Sequence, residues 1–146
     1  MHWIKPEVAG GLGEGSDYDV AREPPQLLGD LYFEFADWLG DDIVSTSGFW
    51  LVTDRLADAF RSAGLTGWEL GVVHVSRSEE LARRKPDLEL PNWNRLLPPT
   101  GTEGDDILLV RRVYLCVSER ALQVLRGFSI EHARVRDVSA IPPPIV

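Results

Sequence analysis

Cysteine is all but missing from this chain. The single Cys116 excludes a disulfide within one copy and any zinc site built on cysteines. It sits in the apolar run VYLCV and reads as a small buried hydrophobe, with no general base nearby in sequence to make it reactive. Positive charge is also scarce: 15 Lys and Arg stand against 23 Asp and Glu, a formal charge of -8. That balance argues against nucleic acid as a ligand and against an anionic membrane surface, both of which need a basic face. No apolar run approaches the length of a membrane span, and MHWIKPEVAGG has no apolar core of a secretory signal, so the expected compartment is the cytoplasm.

Catalytic motifs are absent too. His2, His74 and His132 fall in no HExxH or HxH spacing, and the pairs Asp41-Asp42 and Asp105-Asp106 sit in no EF-hand pattern. No metal and no cofactor is expected. There is no GxSxG elbow. GGLGEGSDYD (10–19) has neither the GxGxxG spacing nor the GK[ST] ending of a phosphate loop, and reads as a surface loop with solvated Glu14, Asp17 and Asp19. Ser118 or Cys116 could be paired with His132 on paper, but a capping role explains Ser118 and burial explains Cys116. No catalytic residue emerges, and a non-enzyme is the expectation.

What is present is an ordinary globular composition: 146 residues, 44% hydrophobic and 26% charged. One domain over 1–146 is expected, with an α+β fold around a mixed sheet. Its opening segment, 1–30, is rich in Gly, Pro and acid. LYFEF (31–35) alternates, with Leu31, Phe33 and Phe35 on one face of a half-buried strand. Residues 36–48 read as an irregular turn region with Asp41 and Asp42 exposed.

Two stretches then say nearly the same thing. GFWLV (48–52) is a strand, Thr53 or Asp54 caps a helix, and Leu56, Ala59, Phe60 and Ala63 share one face of it. Gly64 stops that helix, and WELGVVHV (68–75) returns as a strand buried on much of both faces. Later, ILLVRRVYLCV (107–117) has strand character interrupted at Arg111-Arg112. Ser118 caps a helix with Ala121, Val124 and Leu125 on one face, Gly127 stops it, and IEHARVRD (130–137) returns. The two similar strand–helix–strand modules are thus 49–75 and 114–137. Between them, SRSEELARRK (76–85) reads as a short helix capped by Ser76 or Ser78, and 86–106 as a long Pro/Gly-punctuated loop. The tail 139–146 is too proline-rich for regular structure.

The aromatics and acids supply the candidate surface. Trp50 and Trp68 lie in strands and read as core. Trp38, beside Asp41 and Asp42, and Trp93, in the long loop with Glu103, Asp105 and Asp106, read as exposed apolar anchors ringed by acids, a composition suited to a basic protein partner.

The succession EVAGGLGEG, LYFEFADWLGDDIV, FWLVTDRLADAFRSAGLTGWEL and LCVSERALQVL resembles the immunity proteins of bacterial polymorphic toxin systems, with the closest match over residues 49–75. The resemblance implies a protein that binds and blocks a cognate toxin, itself basic in many such pairs, and carries over no catalytic residue. The alternatives are an enzyme of unrecognised type with a pocket near His132, or a structural, oligomer-forming subunit.

Overall fold

The computed structural model describes residues 1–19, 26–46, 48–98 and 103–144. Parts of the expected N-terminal segment (20–25), long loop (99–102) and tail (145–146) lie outside the described residues, as does the side chain of Asp19. In chain order the elements are β1 (His2–Lys5), β2 (Glu7–Val8), β3 (Gly10–Leu12), β4 (Tyr18–Asp19), β5 (Gln26–Leu27), β6 (Leu31–Phe35), β7 (Ile43–Thr46), β8 (Phe49–Thr53), α1 (Asp54–Ser62), β9 (Glu69–Gly71), β10 (Val73–Arg77), α2 (Glu79–Arg84), β11 (Trp93–Leu97), β12 (Ile107–Val110), β13 (Tyr114–Val117), α3 (Glu119–Arg126) and β14 (Arg134–Asp137), then a 3-10 turn over Val138–Ala140. The fold is α+β with mixed sheets, since β2–β7 and β6–β10 pair in parallel and the other paired strands run antiparallel.

Two of the sheets have the same plan. One runs β12-β13-β1-β14; the other runs β7-β8-β11-β9, with β2 added at its β7 edge. In each, a hairpin leads into a helix, the chain returns as the far strand, and a strand from elsewhere fills the place between. That inserted strand is exchanged. β1 precedes the first hairpin in the chain but lies in the sheet of the second; β11 precedes the second hairpin but lies in the sheet of the first. The opening residues of each repeat are Gly40-Asp41-Asp42-Ile43 and Gly104-Asp105-Asp106-Ile107. The repeat therefore starts before 49 and 114, with a hairpin rather than a single strand, and has the form a tandem duplication with strand exchange leaves behind.

Matching positions fill one shared core. Ile43 and Ile107, Val52 and Val117, Leu56 and Ala121, Ala57 and Leu122, and Phe60 and Leu125 are buried together, with Ile4 and Leu96 from the two exchanged strands. Both helices are capped by the expected hydroxyls: Thr53 accepts from the Leu56 N–H and Ser118 from the Ala121 N–H. The buried helix residues are Leu56, Ala57 and Phe60 in α1 and Ala121, Leu122 and Leu125 in α3. Ala59, Ala63 and Val124 are only half-buried, because each stripe must face a helix as well as a sheet and turns by one residue.

The first sheet is covered on both faces at β8. Trp50 and Val52 enter the shared core, while Phe49 and Leu51 meet Leu31, Phe33 and Phe35 of β6 in a second core. This period-2 division explains why every residue of β8 is buried. The β6 alternation is as the sequence implies. Four other expectations are corrected. Gly10–Leu12 is a strand against β6, where a side chain on Gly10 would meet the Glu34 carbonyl oxygen at 2.0 Å. The expected turn region 36–48 contains β7. Residues 68–75 hold β9 and most of β10, which lie in different sheets, and Val72 between them is exposed, so this return is not buried on both faces. The expected loop 86–106 contains β11, a central strand bonded to both β8 and β9. Among the described residues, no helix is long and apolar enough to cross a membrane.

Candidate functional site

The acids expected to face a partner are mostly inside. Asp41 and Asp42 are each 1% exposed and Asp106 is 6% exposed. Asp42 accepts from Thr53 Oγ1 at 2.7 Å, from Arg55 Nε and Nη2 at 2.6 and 2.7 Å, and from the Ser129 N–H at 2.9 Å. Asp106 does the same in the other repeat. It accepts from Ser118 Oγ at 2.6 Å, from Arg120 Nε and Nη2 at 2.9 and 2.7 Å, and from the Thr66 N–H at 2.9 Å.

The arrangement is reciprocal. Ser129 follows the helix of the second repeat and binds the aspartate of the first; Thr66 follows the helix of the first and binds the aspartate of the second. The backbone repeats the exchange, since the Asp42 N–H donates to the Ser129 carbonyl at 2.7 Å and the Asp106 N–H to the Thr66 carbonyl at 3.1 Å. Burial pushes the Asp42 carboxyl up, but the hydrogen bonds of Arg55, Thr53 and Ser129 outweigh it and hold it below the usual range. The Arg120 hydrogen bonds hold Asp106 well below that range against the opposing effect of burial, with help from Ser118 and Thr66. These carboxylates lock the two repeats together, and the local sequence does show the parts: an acid pair before a strand, then Thr/Ser-acid-Arg after the next one.

Trp93 is also corrected. It is 8% exposed, because it begins central strand β11 and packs on Phe35, with ring centroids 5.3 Å apart. Flanking prolines make a strand look like a loop. Trp38 is half-buried; its ring meets Trp93 edge-on at 6.0 Å, and its indole N–H donates to the Asp41 carbonyl at 2.8 Å. Glu103 is exposed and Asp105 half-buried. They lie at the start of the second repeat, apart from the Trp38 groove, so the seven expected residues form no single patch. Asp105 instead shares a surface pocket with Glu69, Trp68 and Pro98.

What the fold does assemble around Trp38 is an open groove of about 410 Å³, lined by Trp38, Asp54, Arg55, Pro91 and Asn92, with Asp42 at its base. Leu39, next to Trp38, is among the exposed large hydrophobics. Asn92 and Pro91 come from the stretch leading into β11, and Asp54 and Arg55 from the first turn of α1. The Arg55 guanidinium also lies 5.8 Å from the Phe128 ring centre. The groove thus has a firm floor and a mixed apolar and charged rim.

Behind Trp38 lies a second assembly, which no spacing in the sequence announces. Glu7 of β2, Asp41 and His132 each bring one ligand-capable atom within 4.8 Å of the others. His132 Nδ1 lies 3.0 Å from Asp41 Oδ1, and the His132 backbone N–H donates to Asp41 Oδ2 at 2.9 Å. The Asp41 hydrogen bond raises the imidazole pKa, and burial, then the nearby Asp41 charge, raise that of Glu7. His132 stands in the turn before β14, outside the strand, so the return expected over 130–137 is a strand only from Arg134. The chain matches no protein-family model, and no curated protein matches it.

Proposed function

We propose that this chain is a non-enzymatic protein-binding module working in the cytoplasm, and in its specific form an immunity protein that binds and neutralises a cognate toxin. The observation that carries the reading is the open groove in which Trp38 stands beside Arg55 on a floor fixed by Asp42 and the paired tryptophans, with exposed Leu39 next to Trp38 in the chain. An aromatic and an arginine on a preorganised surface are the side chains that dominate protein interfaces. The formal charge of -8 favours a basic partner by raising encounter rates. The buried acids set the floor of the site and do not supply its electrostatics.

The test is a binding measurement with the product of the adjacent gene at low and high salt, comparing the native chain with Leu39→Arg and Asn92→Arg. Asn92 lines the groove and Leu39 is exposed beside Trp38 in the chain, and both substitutions leave the aspartate networks intact. A stoichiometric, salt-sensitive complex weakened at least about tenfold by either change is expected. No complex at either salt, or one indifferent to both changes, refutes the reading.

A second reading, an enzyme of unrecognised type acting near His132, draws on the two carboxylates gathered there. Its distinguishing result is a turnover that His132→Gln abolishes and Leu39→Arg spares.

A further inference from the structure

Glu7 carries an oxygen that the protein leaves unserved. Its Oε2 is sealed from solvent and has no hydrogen-bond partner among the described residues. A buried carboxylate oxygen without a donor is expensive, and native structures rarely tolerate one without a bound water or ion. Here the cost is compounded by the 1% exposed carboxylate of Asp41 nearby, with the exposed His132 imidazole as the third member of the cluster.

We propose that Glu7, Asp41 and His132 bind one divalent transition-metal ion of the zinc class, through one oxygen of each carboxylate and one imidazole nitrogen. The donor set selects that class. Two carboxylates balance a dication, and an imidazole among them favours zinc, cobalt, iron or manganese over magnesium and calcium, which take all-oxygen surroundings. The spacing fits as well. Metal–ligand distances of about 2.0–2.2 Å place neighbouring donors roughly 3.3 Å apart in a tetrahedron. The 3.0 Å between His132 Nδ1 and Asp41 Oδ1, and the 4.8 Å limit on all three atoms, bracket that value. Asp41 Oδ2 keeps the His132 backbone N–H in either case and so holds the third ligand in place. Three protein donors leave a coordination position for water.

The ion would tie together segments far apart in the chain: β2 directly after exchanged strand β1, the loop before β7, and the turn before β14. The other repeat supplies an internal control. Three residues beyond Thr66 stands Glu69, where three beyond Ser129 stands His132; Pro98 matches Pro6, and the next residue is Pro99 where the first has Glu7. Asp105 and Glu69 leave two carboxylates there, but the imidazole is gone and Pro99 offers no ligand in place of Glu7. One ion per chain is the consequence.

The site stands independently of the partner-binding reading. The test uses the full chain, stripped with a chelator and titrated by calorimetry with Zn²⁺ alone and with Mn²⁺ alone, while melting is followed by circular dichroism. The expected result is saturable binding of one Zn²⁺ per chain and a higher melting temperature in its presence. Glu7→Gln and His132→Gln should each weaken binding by about tenfold or more, while Asp105→Asn and His74→Gln leave it unchanged. The two ligand variants are independent, so either one that keeps the native near-ultraviolet spectrum suffices. No saturable binding by the native chain, or binding that survives both ligand substitutions, overturns the proposal.

Discussion

Replacing Asp42 by alanine tests whether the reciprocal aspartates hold the repeats together. The substitution strips one acceptor from four donated hydrogen bonds. The half-buried Ser129 N–H is left without a partner, which costs about 1 kcal/mol at the low end for a buried donor. The Thr53 hydroxyl loses its acceptor for about 1 kcal/mol more. Arg55 is 64% exposed in its side chain and regains water, so the ion pair adds no more than about 1 kcal/mol. The recovered desolvation of the carboxylate offsets part of this, leaving roughly 1–2 kcal/mol. For a chain of this size that is a fall in melting temperature of about 3–7 °C. Urea unfolding followed by circular dichroism measures it, with Asp58→Ala as the surface comparison, since the Asp58–Arg61 pair is exposed on both sides. If Asp42→Ala unfolds within about 0.5 kcal/mol of both the native chain and Asp58→Ala, the bonds merely repay the burial of the charge, and the locking role assigned to the aspartates is wrong.

The mirrored site makes a pH prediction. The folded Asp106 pKa lies below its unfolded value of about 3.9, so its contribution is complete above that value and is lost as pH falls through the folded pKa. Asp106→Asn should therefore lower the urea midpoint at pH 7 and flatten the acid limb between about pH 4 and 2; an unchanged acid limb refutes the assignment. The second hairpin turns through Arg111 and Arg112 at φ 50° and 62°, where the first uses Gly48 at φ 86°. Arg112→Gly should stabilise the chain by up to about 1 kcal/mol in the same assay, because glycine enters the left-handed region without strain; a loss of stability would mean that the Arg112 side chain makes a contact worth more than the strain it carries.

Local physics alone determined the pieces of this protein. Thr53, Ser78 and Ser118 cap helices because each carries a hydroxyl before an amphipathic stretch, and β6 alternates because one face meets a core. The similarity of VTDR and VSER marked the repeat because capping chemistry is read within a few residues. Only the tertiary structure decided the rest. Acid pairs look the same in sequence whether solvated or buried, and it was the turn beyond the other repeat's helix, 87 residues away from Asp42 in the chain, that supplied the donor which makes burial tolerable. Trp93 lay among prolines that suggest a loop, yet the gap between β8 and β9 needed a strand and took it. Glu7, Asp41 and His132 meet because β1 crosses into the other repeat's sheet and brings the residues after it along. Long-range pairing of this kind leaves no periodicity behind, because it depends on which surfaces remain unpaired once the local elements have formed.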